Sequence, residues 1–121
     1  MSGPPSEDPV PRYADVFAAL GTEARLRILR LLLAAHPKGL FAGEIQAALN
    51  IPPSTLSHHL EKLRHERLVR VSRKGTFLRY TAETETLREV VQFLYAECCG
   101  RGRATELGDV TQLCVVPPRQ A

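Results

Sequence analysis

The segment PSTLSHHLEKLRHERL, residues 53–68, constrains this chain more than any other. Leu56, Leu60 and Leu63 recur at i, i+4 and i+7, one stripe of an α-helix, and the positions between them are polar. Pro53 stands where a helix accepts proline, at its first position, because its missing N–H would have no partner there. Just upstream, residues 41–49 read as a short helix with Ile45, Ala48 and Leu49 inward, and Asn50-Ile51-Pro52 as a tight turn. Downstream, residues 68–72 and 76–81 alternate apolar and polar around Arg73-Lys74-Gly75, which predicts a β-hairpin with a basic tip.

The rest of the chain builds helices around this centre. Tyr13, Val16, Phe17 and Leu20 share one face of a helix over 12–20, which Gly21 stops. Thr22 is a good N-cap for the next helix, and Glu23 sits favourably in its first turn. That helix, ARLRILRLLLAA, is apolar on most sides and is expected to be central. His36-Pro37-Lys38-Gly39 breaks the pattern. A last helix over 83–99 carries Leu87, Val90, Val91 and Leu94 on one face, with Gly100 and Gly102 expected to end it. Residues 1–10, rich in proline, serine and acid, read as a disordered arm. The expected organisation is therefore an arm at 1–10, one folded domain at 11–100 and a C-terminal tail at 101–121. A length of 121 residues leaves no room for a separate catalytic domain.

Charge is concentrated rather than large. The chain carries a formal +3, yet residues 61–79 alone hold seven basic residues against Glu61 and Glu66. With His58, His59 and His65 alongside, this stretch reads either as a phosphate-facing surface or as a solvated helix face. The opening residues MSGPPSEDPV lack the pattern of a secretory signal, and no apolar run approaches the roughly 18 residues of a membrane span. A cytoplasmic protein with reduced thiols and no membrane partner is expected, and three cysteines, an odd number, suit a disulfide scaffold poorly.

Two short helices joined by a tight turn and followed by a basic hairpin make the winged helix-turn-helix plan, mainly α with a small β-hairpin. Ser54, Thr55, Ser57 and His58 form a polar helix edge suited to base edges in a major groove, and Arg73 and Lys74 reach the backbone or minor groove beside it. His58 reads as an exposed functional residue or as a surface histidine contacting nothing. His59, beside Leu60, reads as packing at the helix edge or touching a phosphate. Ser57 and His58 do not form a catalytic couple, because neighbours on a helix point about 100° apart. No enzyme activity is expected.

The stretches LGTEARLRILRLL and IPPSTLSHHLEKLRHERLVRVSRKGTFLRY resemble the ArsR/SmtB family of metalloregulatory repressors, over about residues 12–99. The resemblance implies a homodimer, built on the first and last helices, that binds palindromic double-stranded operator DNA. It also implies reading by Ser54, Thr55, Ser57 and His58, with wing contacts from Arg73 and Lys74. Pro52 departs from the family, whose members commonly carry a serine-like cap there.

The resemblance further implies an inducer site, tested residue by residue. Family arsenic sites in the third helix need cysteines, but Phe41, Ala42 and Gly43 stand there; family zinc sites in the last helix need histidine, and residues 83–99 contain none. Glu97-Cys98-Cys99-Gly100 is similar to the subset that binds arsenite through a vicinal cysteine pair. Soft As(III) favours thiolate donors, and Arg101 and Arg103 favour the thiolate form. Inorganic arsenite prefers three sulfurs, for which Cys114 is the remaining candidate, whereas an organoarsenical needs two. Antimonite, a thiol-oxidation signal, a thiol metal carrier that does not bind DNA, and a winged helix serving protein interaction are the alternatives.

Overall fold

The computed structural model describes residues 8–103, with side chains as far as Ala96. Most of the arm expected at 1–10 and of the tail expected at 101–121, with Cys114, lies outside the described residues. The chain divides into two units, one ending at Thr84 and one beginning at Glu85.

The first unit opens with helix α1 (Val10–Leu20), two residues earlier than the periodicity suggests. Asp8 Oδ1 accepts from the Val10 N–H at 3.0 Å, and proline is tolerated in the first turn, so the start needs no apolar residue to mark it. Helix α2 (Glu23–Ala34) starts as expected at Thr22, whose Oγ1 accepts from the Arg25 N–H at 3.2 Å. It is less enclosed than its composition suggests. Ile28, Leu29 and Leu32 are buried, but Leu26 and Leu33 are exposed.

Residues 41–49 divide where a single helix was expected. Leu40–Phe41 forms a two-residue strand β1, and helix α3 (Ala42–Leu49) begins after it, with the Glu44 carboxylate accepting from the Phe41 N–H at 2.8 Å. Ile45 is fully buried and Leu49 half-buried, whereas Ala48, expected inward, faces solvent. Asn50 then takes the left-handed conformation at φ 56°, one that asparagine tolerates, and turns the chain into helix α4 (Pro53–His65).

The end of α4 is a Schellman motif with an unusual residue in it. The Leu68 N–H bonds the Leu63 carbonyl at 2.9 Å and the Arg67 N–H bonds the Arg64 carbonyl at 2.9 Å. Arg67 holds the left-handed position at φ 60°, where glycine is usual. Leu63 and Leu68, both fully buried, supply the apolar contact that accompanies such a cap.

Strands β2 (Val69–Lys74) and β3 (Phe77–Ala82) form the hairpin, and the sheet is antiparallel in the order β1-β3-β2. Lys74 pairs with Phe77, so the connection is Gly75-Thr76, and Arg73 and Lys74 end a strand instead of forming the tip. Gly75 supplies the positive φ of 65° that a two-residue hairpin loop requires. The Glu83 N–H to Leu68 carbonyl bond (2.9 Å) and the Arg70–Glu83 ion pair (2.7 Å) close the base of the ribbon. Val16, Ala19, Ile28, Leu29, Leu32, Ile45, Leu56, Leu60, Leu63, Leu68, Val69 and Ala82 form the core of this unit.

Helix α5 (Thr84–Arg103) carries the second unit. It runs through Gly100 and Gly102, which therefore do not end it as expected. Glycine lowers helix propensity by about 1 kcal/mol per residue without forbidding helix.

Gly39 is the least replaceable glycine described. Its φ is +81°, and an added Cβ would fall on Thr81 Cγ2 and the Tyr80 carbonyl oxygen. Gly39→Ala is expected to cost well over about 1 kcal/mol in urea unfolding. Gly43→Ala, in a helix with nothing within 4 Å, is expected to be neutral or to stabilise by up to about 1 kcal/mol.

Candidate nucleic-acid interface

Helix α4 is anchored on one side and open on the other. Leu56, Leu60 and Leu63 are each 2% exposed or less, while Ser54, Thr55, Ser57 and His58 are all exposed. At about 100° per residue these four span an arc opposite the leucines, and Lys62 and His65 extend it toward the C-terminus. The N-cap is Pro52 and no side chain caps the helix. Prolines 52 and 53 have no N–H, so the unsatisfied donors of this terminus are the Ser54 and Thr55 amides. The departure at Pro52 thus leaves two free donors and the positive end of the helix dipole facing outward.

The basic stretch separates into occupied and available cations. Arg64 bonds Glu61 at 2.6 Å and Arg70 bonds Glu83 at 2.7 Å. Arg79 donates to the Lys38 carbonyl at 3.0 Å and lies 4.5 Å over the Phe41 ring, with its Nε buried and unbonded. Lys62, Arg67, Arg73 and Lys74 have no intramolecular partner among the described residues. Side chains alternate across a strand, and the register puts Arg73 opposite Leu78 and Lys74 opposite Phe77. The two wing cations therefore occupy opposite faces of the ribbon. Arg73 shares its face with Val71 and Tyr80, Lys74 with Ser72, Phe77 and Arg79.

One supporting residue has no signal in the sequence. Arg25 donates to the Ala19 carbonyl at the end of α1 and lies 3.2 Å from His59 Nδ1 on α4. Arginine has no acceptor, so the imidazole nitrogen must accept, which requires it to be unprotonated. Burial, then Arg25, then His58, whose ring centroid is 6.0 Å away, hold the His59 pKa below its ordinary value. His59 thus packs at the helix edge and fixes α4 to α2. His58, one residue earlier, is exposed.

Cys98 and Cys99 lie within α5, beyond the described side chains, and Cys114 lies outside the described residues. Among the described residues, no group of three or more histidine, cysteine or acidic side chains is placed to hold a metal ion, and no helix is long and apolar enough to cross a membrane.

Residues 20–72 match a family model described as a helix-turn-helix domain. The chain is 31% identical over 80 residues to the transcriptional repressor SdpR of Bacillus subtilis, an alignment covering 66% of this chain and 86% of SdpR. An ArsR-like transcriptional regulator from Rhodococcus superposes with a TM-score of 0.63 at 26% identity, covering 89% of this chain and 97% of its own. The chain belongs to the ArsR/SmtB family of winged-helix transcriptional regulators. A homodimeric winged helix-turn-helix DNA-binding domain from Mycobacterium bovis, a possible family member, superposes with a TM-score of 0.61 at 25% identity, covering 80% of this chain and 90% of that one.

The members are regulators of transcription and not enzymes. Helix α3, the Asn50 turn and α4 form the helix-turn-helix, and β2–β3 is the wing.

The Arg25–His59 joint generates a pH dependence. With its folded pKa lowered from 6.5, His59 takes up a proton more readily in the unfolded chain. Its contribution to stability is present above that value and is lost as pH falls through it. The urea midpoint should therefore drop between about pH 7.5 and pH 5, and His59→Gln should flatten that drop. An unchanged slope in the variant would exclude the joint as its source. Glu61, whose carboxyl Arg64 holds below its ordinary 4.5, titrates outside this window.

Proposed function

We propose that the chain is a homodimeric, cytoplasmic transcriptional repressor that binds palindromic operator DNA and is released by trivalent arsenic. The observation that carries the DNA reading is the outward arc of Ser54, Thr55, Ser57 and His58 beside two uncapped amides. Small hydroxyls and an imidazole offer donors and acceptors to base edges, and the amides suit a phosphate. Arg73 and Lys74, free of internal partners, supply wing contacts to the backbone or minor groove. Dimerisation is supported by exposed Val10 and Phe17 on α1, seven residues apart on one helix face, and by exposed Leu94 and Tyr95 on α5. Pairing two copies covers such apolar surface and presents two recognition helices to a two-fold symmetric site.

The inducer reading rests on Cys98 and Cys99, with Cys114 as third thiolate for arsenite; an organoarsenical needs only the pair. Cys98 and Cys99 are consecutive, so one chelate over both closes a small ring at the end of α5. Gly100 and Gly102 beside the pair lower the cost of backbone rearrangement there. Any dependence of dimer geometry on the end of α5 then becomes a coupling free energy of about 1–3 kcal/mol. A thiol-oxidation signal or antimonite would act at the same cysteines.

On a duplex from its own promoter, log affinity should fall with log salt at about −0.9 per phosphate neutralised, and a scrambled duplex should bind more weakly. Arsenite should weaken the specific complex by about 5- to 150-fold. Cys98→Ser and Cys99→Ser should abolish that release without altering affinity in its absence. Cys114→Ser should abolish release by arsenite while sparing a monomethyl arsenical. Binding indifferent to salt and sequence would overturn the repressor reading; release that survives loss of Cys98 and Cys99 would overturn the inducer site.

A further inference from the structure

We propose that Phe77 is an apolar wedge that the wing sets into the minor groove of the duplex flanking each half-site. The inference rests on the DNA-binding reading above and adds a residue to it. Phe77 is 64% exposed, the most exposed of the large hydrophobic side chains described, and it is the first residue after the wing turn. Its ring is nevertheless held. It lies 5.6 Å from the Phe41 ring, tilted by 54°, and Phe41 in turn carries the Arg79 guanidinium at 4.5 Å on the same sheet face. A braced aromatic ring at the end of a two-stranded ribbon loses little conformational freedom on contact with a partner.

The chemistry around the ring selects the partner. Lys74 stands directly across the ribbon on the same face, and Arg73 lies next to it on the opposite face beside exposed Leu78. Neither cation has an internal partner. Apolar surface beside a free cation complements the minor groove, whose deoxyribose walls are apolar and run between two lines of phosphates. At about 6 Å wide the groove excludes the ribbon as a whole but admits one side chain. Apolar side chains beside arginine and lysine act as such wedges in minor-groove binding.

The test compares the full chain with Phe77→Ala, Phe77→Leu and Lys74→Ala on a promoter duplex, with and without the base pairs flanking the half-sites, after thermal melting has verified that each variant is folded. Phe77→Ala is expected to bind the full duplex about tenfold more weakly with an unchanged salt slope, because it removes no charge. Phe77→Leu should retain most of the affinity, and Lys74→Ala should lower the slope by about 0.9. Trimming the flanks should bring wild type down to Phe77→Ala and leave that variant unaffected. Wild-type affinity in Phe77→Ala, or an equal loss on both duplexes, would overturn the wedge while leaving the repressor reading intact. A wild-type chain that binds neither duplex would overturn both, and an acidic protein partner would then fit the same surface.

Discussion

The burial of Leu56, Leu60 and Leu63 is the constraint from which the rest of the interface follows. Three leucines removed from water are worth several kcal/mol, at about 1.5–3 kcal/mol each, and they fix the rotation of α4 about its own axis. A helix so fixed has no choice about which residues face outward. Ser54, Thr55, Ser57 and His58 are exposed because the leucines are not. Arg25 adds directionality to what packing alone leaves loose, tying the end of α1 and the His59 ring of α4 to the start of α2.

The helix terminus shows how local chemistry is turned to use. A side-chain cap at Pro52 would satisfy an amide that is here left open. The two prolines pre-set the backbone for a helical start and remove two of the four orphan donors at once, so the uncapped end is cheap to maintain. What remains is a compact pair of amides at the positive pole of a helix, beside hydroxyl side chains.

Much of this was legible in the sequence because it depends on short-range periodicity. The leucine stripe, the Thr22 cap, Pro53 at the first helical position and the alternating hairpin strands are local signals, and the structure bears them out. The failures are tertiary. A two-residue strand such as Leu40–Phe41 has no period, and only pairing with Tyr80 and Arg79 defines it. The hairpin turn moved to Gly75-Thr76 because cross-strand register, not the position of the charges, decides it. Arg25 reaches a residue 34 positions away, a contact that no window of sequence contains. Leu26 and Leu33 look like core by composition and are exposed. Gly100 and Gly102 look like a stop, but the helix continues past them.

Arg67 carries a further consequence. A left-handed backbone costs a residue with a side chain about 1 kcal/mol relative to glycine, and Arg67 bears that cost at φ 60°. The charge sits at the corner between α4 and β2, with no internal counter-ion among the described residues. Glycine there would relax the backbone and remove one positive charge in the same substitution, so conformational ease and surface potential are tied to one side chain.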